Sequence, residues 1–88
     1  MDTHQNNLKD YNMGMVRNII DYNLRKGNAE SLTEGDKNLI AQAEKIHYTE
    51  WFKAGELAEK AESELAKNIL RNIETNLYHQ EEFHAGLL

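Results

Sequence analysis

At 88 residues the chain is the size of a single domain (residues 1–88), with a stability margin thin enough that oligomerisation is a common remedy. It has no cysteine, which excludes a disulfide framework, a thiolate metal site and a cysteine nucleophile. Its charge is uneven, +1 over residues 1–28 and −6 over residues 29–88; most of the surface would repel DNA or RNA polymers, and only residues 9–28 offer donors to a small anion.

The absence of proline and the abundance of leucine, alanine, glutamate and lysine predict an all-α fold. In the first segment Leu8, Tyr11, Met15, Ile19 and Tyr22 recur at steps of three and four, with Val16 and Ile20 alongside, which predicts an N-terminal amphipathic helix. Gly14 weakens it early, and the glycine of Arg25-Lys26-Gly27-Asn28 suits the position just past a helix end. Ser31-Leu32-Thr33-Glu34 reads as a capping box, with Thr33 and Asp36 as a second possible start. Leu39, Ile40, Ala43, His47, Trp51, Ala54, Leu57, Ala58 and Ala61 then keep to one broad face, and Leu65, Ile69, Leu70, Ile73 and Leu77 continue the pattern. An unbroken rod from 34 to 85 would span roughly 75 Å, too extended for one small domain, so a break is expected near Gly55 or near Ser63, where the serine would cap the next helix. The working architecture is an N-terminal helix followed by a long helical hairpin or broken rod, packed as a homo-oligomer.

Two Glu-x-x-His pairs, Glu44/His47 and Glu81/His84, have the spacing that puts a carboxylate and an imidazole on one helix face, as in di-metal carboxylate bundles. Such a centre also needs bridging glutamates from two other helices, and residues 1–28 contain none, so metal chemistry is the weakest alternative. No nucleophile elbow, phosphate loop or metalloprotease motif is present, and the chain reads as a non-enzyme without cofactor. Trp51 and Phe52 read as core or subunit interface, and Tyr78, Phe83, Leu87 and Leu88 as a C-terminal apolar patch. The N-terminus lacks the basic start and apolar run of a leader, and no segment is apolar over a bilayer's width; the expectation is a soluble cytoplasmic protein without a membrane partner.

The basic part of the chain has two readings for Tyr11: a half-buried core residue, or a ring on which a base stacks among the donors Asn6, Asn7, Lys9, Asn12, Arg25, Lys26 and Asn28. Lys26 follows Tyr11 by fifteen positions, and on a straight helix the two stand about 22 Å apart along the axis and about 60° apart around it. A single small ligand touches both only if the helix bends back near Gly14 or if two protomers build the site.

These residues resemble the short phage proteins that defeat the CBASS defence by sequestering its cyclic oligonucleotide messengers. In that family an N-terminal histidine precedes an Ile-Lys-Gly-Tyr-Arg-like stretch, a lysine follows, and a tryptophan opens the final helix. Here His4 with Leu8-Lys9-Asp10-Tyr11-Asn12 is similar to the first element, Lys26 holds the lysine spacing, and Glu50-Trp51-Phe52-Lys53-Ala54-Gly55 resembles the last. The resemblance implies a helical homo-oligomer, a hexamer, that binds cyclic dinucleotides such as cyclic GMP-AMP between protomers in the host cytoplasm without cleaving them. It implies that Tyr11 stacks on a base, Lys26 pairs with phosphate, and Asn28 stands where family members use a threonine hydroxyl. Asp10 departs from the pattern by replacing a glycine, and a second register would make Lys45 the binding lysine. A second, cyclic-trinucleotide site is not implied, because its arginine and threonine positions hold Glu50 and Ala54. The alternative function is a helical protein-binding inhibitor or antitoxin-like regulator.

Overall fold

A computed structural model describes the backbone of residues 3–84 and the side chains of residues 14–84. Four helices follow one another, α1 (Thr3–Lys26), α2 (Glu34–Ala43), α3 (Phe52–Lys60) and α4 (Glu64–His84), with short 3-10 turns at Ala29–Ser31 and Tyr48–Glu50. Among the described residues there is no strand, in keeping with the expected all-α class.

The core is organised around α4, where Ala66, Ile69, Leu70, Ile73 and Leu77 are wholly withdrawn from solvent. Their spacing of three and four lays them along one stripe. α3 packs on that stripe most extensively, and α1 and α2 cover its flanks. Each fully buried leucine or isoleucine contributes about 1.5–3 kcal/mol, so this one helix supplies much of the apolar stabilisation.

The 24 residues of α1 make a rod of about 36 Å, which sets the 41 Å long dimension of the molecule. The helix continues through Gly14, where an added Cβ would meet nothing within 4 Å. In its described half Val16 and Ile20 are buried, with Ile19 and Leu24 packed partly against the core. Tyr22, expected on the buried stripe, is 57% exposed instead. The inward line is 16–20–24, and two residues past Ile20 a side chain has turned about 200° away from it. Leu8 and Tyr11 lie outside the residues whose side chains are described.

α1 stops at Lys26, but Gly27 is there for room rather than for a left-handed backbone. Its N–H still donates to the Asn23 carbonyl at 2.8 Å, as in a continuing helix. A Cβ on Gly27 would lie 2.7 Å from Leu65 Cδ1 and 3.2 Å from the Asn23 carbonyl oxygen, so the start of α4 packs directly on this bare backbone. Gly27→Ala should therefore lower stability by about 1 kcal/mol despite alanine's better helix propensity, readable as a lowered thermal midpoint. A midpoint at or above wild type would refute the close-packing account.

Of the two possible starts for α2, the second is used. Thr33 Oγ1 accepts from the Asp36 N–H at 3.0 Å, and Asp36 Oδ2 accepts from the Thr33 N–H at 3.3 Å, completing a capping box. Ser31 belongs to the preceding turn, where its hydroxyl donates to the Asn28 carbonyl.

Residues 34–60 are interrupted at a place other than the two expected, Gly55 and Ser63. α2 ends at Ala43, and His47 caps the following turn, its Nδ1 accepting from the Thr49 N–H. No glycine or proline announces this break; Ile46, His47, Tyr48 and Thr49 are a run of weak helix formers. The second break falls at residues 61–63, where Ser63 Oγ accepts from the Ala66 N–H at 3.1 Å and caps α4, one of the two places expected. Gly55, the other, lies buried inside α3, where an added Cβ would run into the Glu74 carboxylate. The two breaks fold residues 34–84 back on themselves, α3 and α4 forming the hairpin.

Candidate functional site

The C-terminal end of α1 is the basic corner of the molecule. Arg25, Lys26, Gly27 and Asn28 are all exposed there. Cations in a last helical turn face the negative end of the backbone dipole, which favours them locally. Lys26 Nζ lies 4.9 Å from the centroid of the Tyr22 ring, one helical turn earlier, in cation–π geometry. The neighbouring Tyr22 side chain, as a hydrogen-bond partner, raises the Lys26 pKa.

Asn28 turns the chain into the next segment. Its Oδ1 accepts from the Glu30 N–H at 3.1 Å, and its carbonyl accepts from the Ser31 hydroxyl at 2.7 Å. With Oδ1 engaged, what Asn28 can offer a ligand is its amide NH2, a donor suited to a phosphate oxygen.

Tyr11, the third expected site residue, has a described backbone but not a described side chain. α1 does not bend back at Gly14, so Tyr11 and Lys26 of one chain stay about 22 Å apart along one helix. Of the two ways to join them around a small ligand, the bent helix is overturned. Lys45, the lysine of the second register, is exposed in the turn after α2. Glu50 pairs with Lys53, and Ala54 is completely buried, so neither resembles a ligand contact.

Beside the corner, α1 and α4 leave an open groove of about 290 Å³ with Met15 and Ile19 in its lining. Asn18, Asn23, Asn72, Asn76 and the Tyr22 ring line the rest. Within it the Asn23 amide donates to the Ile19 carbonyl and the Asn76 amide to the Asn72 carbonyl, each at 2.8 Å. Sequence reasoning missed this groove. The Tyr22/Lys26 pairing was available as an i, i+4 spacing, but the pairing of Asn18 and Asn23 with Asn72 and Asn76 exists only after α1 has packed on α4.

Of the two Glu-x-x-His pairs only Glu81/His84 shares the helix face its spacing suggests, both residues of α4 turning to the Tyr48–Trp51 segment. Glu44 closes α2 and meets Arg17 of α1 at 3.2 Å, whereas His47 lies beyond the helix end. Glu81 accepts from Trp51 Nε1–H at 3.3 Å, and His84 stacks on Tyr48 with ring centroids 4.6 Å apart. Among the described residues no cluster of three or more His, Asp or Glu could hold a metal ion. Trp51 is half-buried, edge-on to Tyr78 at 4.9 Å, while Phe52, Tyr78 and Phe83 are exposed.

No protein-family model, curated protein or solved structure matches the chain.

Proposed function

We propose that the protein is a phage anti-defence sponge: a homo-oligomer, a hexamer by its resemblance to the anti-CBASS proteins, that captures cyclic dinucleotides such as cyclic GMP-AMP in the host cytoplasm without cleaving them. One observation carries this reading. In an acidic chain, Arg25 and Lys26 stand exposed at the end of α1, and neither forms an ion pair among the described residues. By contrast Arg17, Lys37, Lys53, Lys67 and Arg71 each meet a carboxylate, and the other two cations without one among the described residues, Lys45 and Lys60, stand singly rather than side by side. Unpaired cations next to an amide donor suit a ligand with two phosphates, and the remaining negative surface disfavours DNA or RNA polymers. In the proposed site Tyr11 of one protomer stacks on a base, while Lys26 and Asn28 of another hold phosphate. None of the described helices is long and apolar enough to cross a membrane, so no membrane partner is invoked.

Capture works by mass action and must outcompete the host effector, which calls for nanomolar affinity, about −12 kcal/mol. Calorimetry with cyclic GMP-AMP should give saturable heat, and the recovered ligand should be intact. Absence of heat at micromolar concentrations, or release of a linear product, overturns the proposal.

A second reading, a helical inhibitor or antitoxin-like regulator that binds a protein, is favoured by a different observation. Ile20, Leu24, Leu32 and Ile40 line an apolar groove of about 450 Å³ with Arg17, Glu30, Lys37 and Glu44 also in its lining. A stoichiometric protein partner recovered without nucleotide would select that reading.

A further inference from the structure

We infer that the asparagine-lined groove between α1 and α4 is a nucleobase seat contained within one protomer, specific for bases that carry an amino group. The inference rests on the nucleotide-capture reading above and assigns to it a second contact surface, centred on Tyr22 rather than Tyr11.

The direction of the hydrogen bonds is what selects the ligand. A carbonyl can only accept, so the Asn23 and Asn76 side chains must present Nδ2 to the Ile19 and Asn72 carbonyls. Each keeps Oδ1 as an acceptor for a guest, together with the second N–H of its amide. An acceptor and a donor on one amide suit a base edge that offers an exocyclic amine beside a ring nitrogen, as adenine does with N6 and N7. Uracil, with one N–H between two carbonyls, has no such amine.

The walls suit the same guest. Met15 and Ile19 provide an apolar surface, and the volume of about 290 Å³ holds one base rather than a whole dinucleotide. The Tyr22 ring borders the groove and is 57% exposed, so the face that Lys26 does not cover is open to stacking. The Lys26 ammonium already rests 4.9 Å from that ring's centroid. From there a long, flexible lysine reaches a phosphate attached to a base seated against Tyr22. Aromatic platform and cation are thus adjacent in a single chain, the combination that Tyr11 and Lys26 attain only across two chains.

The test titrates the full chain with cyclic GMP-AMP and with cyclic di-UMP. Wild type should bind cyclic GMP-AMP at least about tenfold more tightly, the discrimination that one to two base-edge hydrogen bonds provide. Tyr22→Leu should weaken cyclic GMP-AMP binding about tenfold, and Tyr22→Phe, which keeps the stacking face, should retain it. Asn76→Leu should narrow the gap between the two ligands. If Tyr22→Leu binds cyclic GMP-AMP as wild type does, or if both ligands bind equally, the groove is not the seat, and the sponge reading stands without it. If wild type binds neither ligand, both proposals fall.

Discussion

Alanine in place of Asp36 should lower the unfolding free energy by about 2–4 kcal/mol, a large part of the total stability of a domain this small. Asp36 is the one buried charged residue of the described chain, 1% exposed, and its carboxylate joins two distant turns. Besides closing the α2 capping box it accepts the Glu62 N–H at 2.8 Å and the Ser63 N–H at 3.2 Å. Those donors sit just ahead of α4, so removing the carboxylate leaves three part-buried backbone N–H groups, those of Thr33, Glu62 and Ser63, without their acceptor. Burial alone would push the Asp36 pKa up; the donors of Glu62, Ser63 and Thr33 outweigh it and hold the carboxyl below its usual range. The sign follows: the stabilisation is complete above the unfolded value of about 3.9 and is lost as pH falls through the lower folded value. Urea denaturation at neutral pH measures the first effect. Asp36→Asn, with nothing to protonate, should show a shallower acid-side loss than wild type. An alanine variant within about 1 kcal/mol of wild type would show that the corner closes without the carboxylate.

Tyr11→Ala and Lys26→Ala should each abolish binding of cyclic GMP-AMP, yet an equal mixture of the two variants, unfolded together and reassembled, should recover about a quarter of the wild-type sites. The recovery follows from α1 being one unbroken helix, which keeps the two residues of any one chain about 22 Å apart. A site must then draw its ring from one protomer and its ammonium from another. In a mixed oligomer some sites pair an intact Tyr11 from a Lys26→Ala chain with an intact Lys26 from a Tyr11→Ala chain. If instead the residues of one chain sufficed, mixing would restore nothing. Calorimetric stoichiometry on the mixture separates the cases, with circular dichroism and native mass confirming that each variant keeps its helices and subunit number. Recovery of no sites in a properly mixed oligomer would remove the two-protomer site.

Much of the fold can be read from the sequence because helix packing is written locally. Leu65, Ile69, Leu70, Ile73 and Leu77 repeat at the spacing that makes one stripe, and the last four are among the residues buried in α4. Thr33, Asp36 and Ser63 announce their caps by residue type. The break after Ala43 cannot be read this way, because it has no glycine or proline and depends on His47 capping a short turn. Tyr22 misleads for a different reason: a step of three from Ile19 keeps it within the range of a broad stripe, and only the choice of Val16, Ile20 and Leu24 as the inward line turns it outward. For the candidate site, Lys26 and Asn28 stand out as cation and amide in an acidic chain, and both are exposed at the corner. The surroundings of that corner have no local signal. Asp36 reaches Glu62, and Asn23 comes to share a groove with Asn72, only through tertiary packing.

The contact of Gly27 with Leu65 carries a further meaning for motion. The turn that follows α1 lies against Leu65 in the first turn of α4, so any outward displacement of α1 would uncover Leu65 and open the asparagine groove in one movement. Hydrogen exchange in the last turn of α1 and the first turn of α4 should accordingly rise and fall together, and a guest lodged across that seam would slow both.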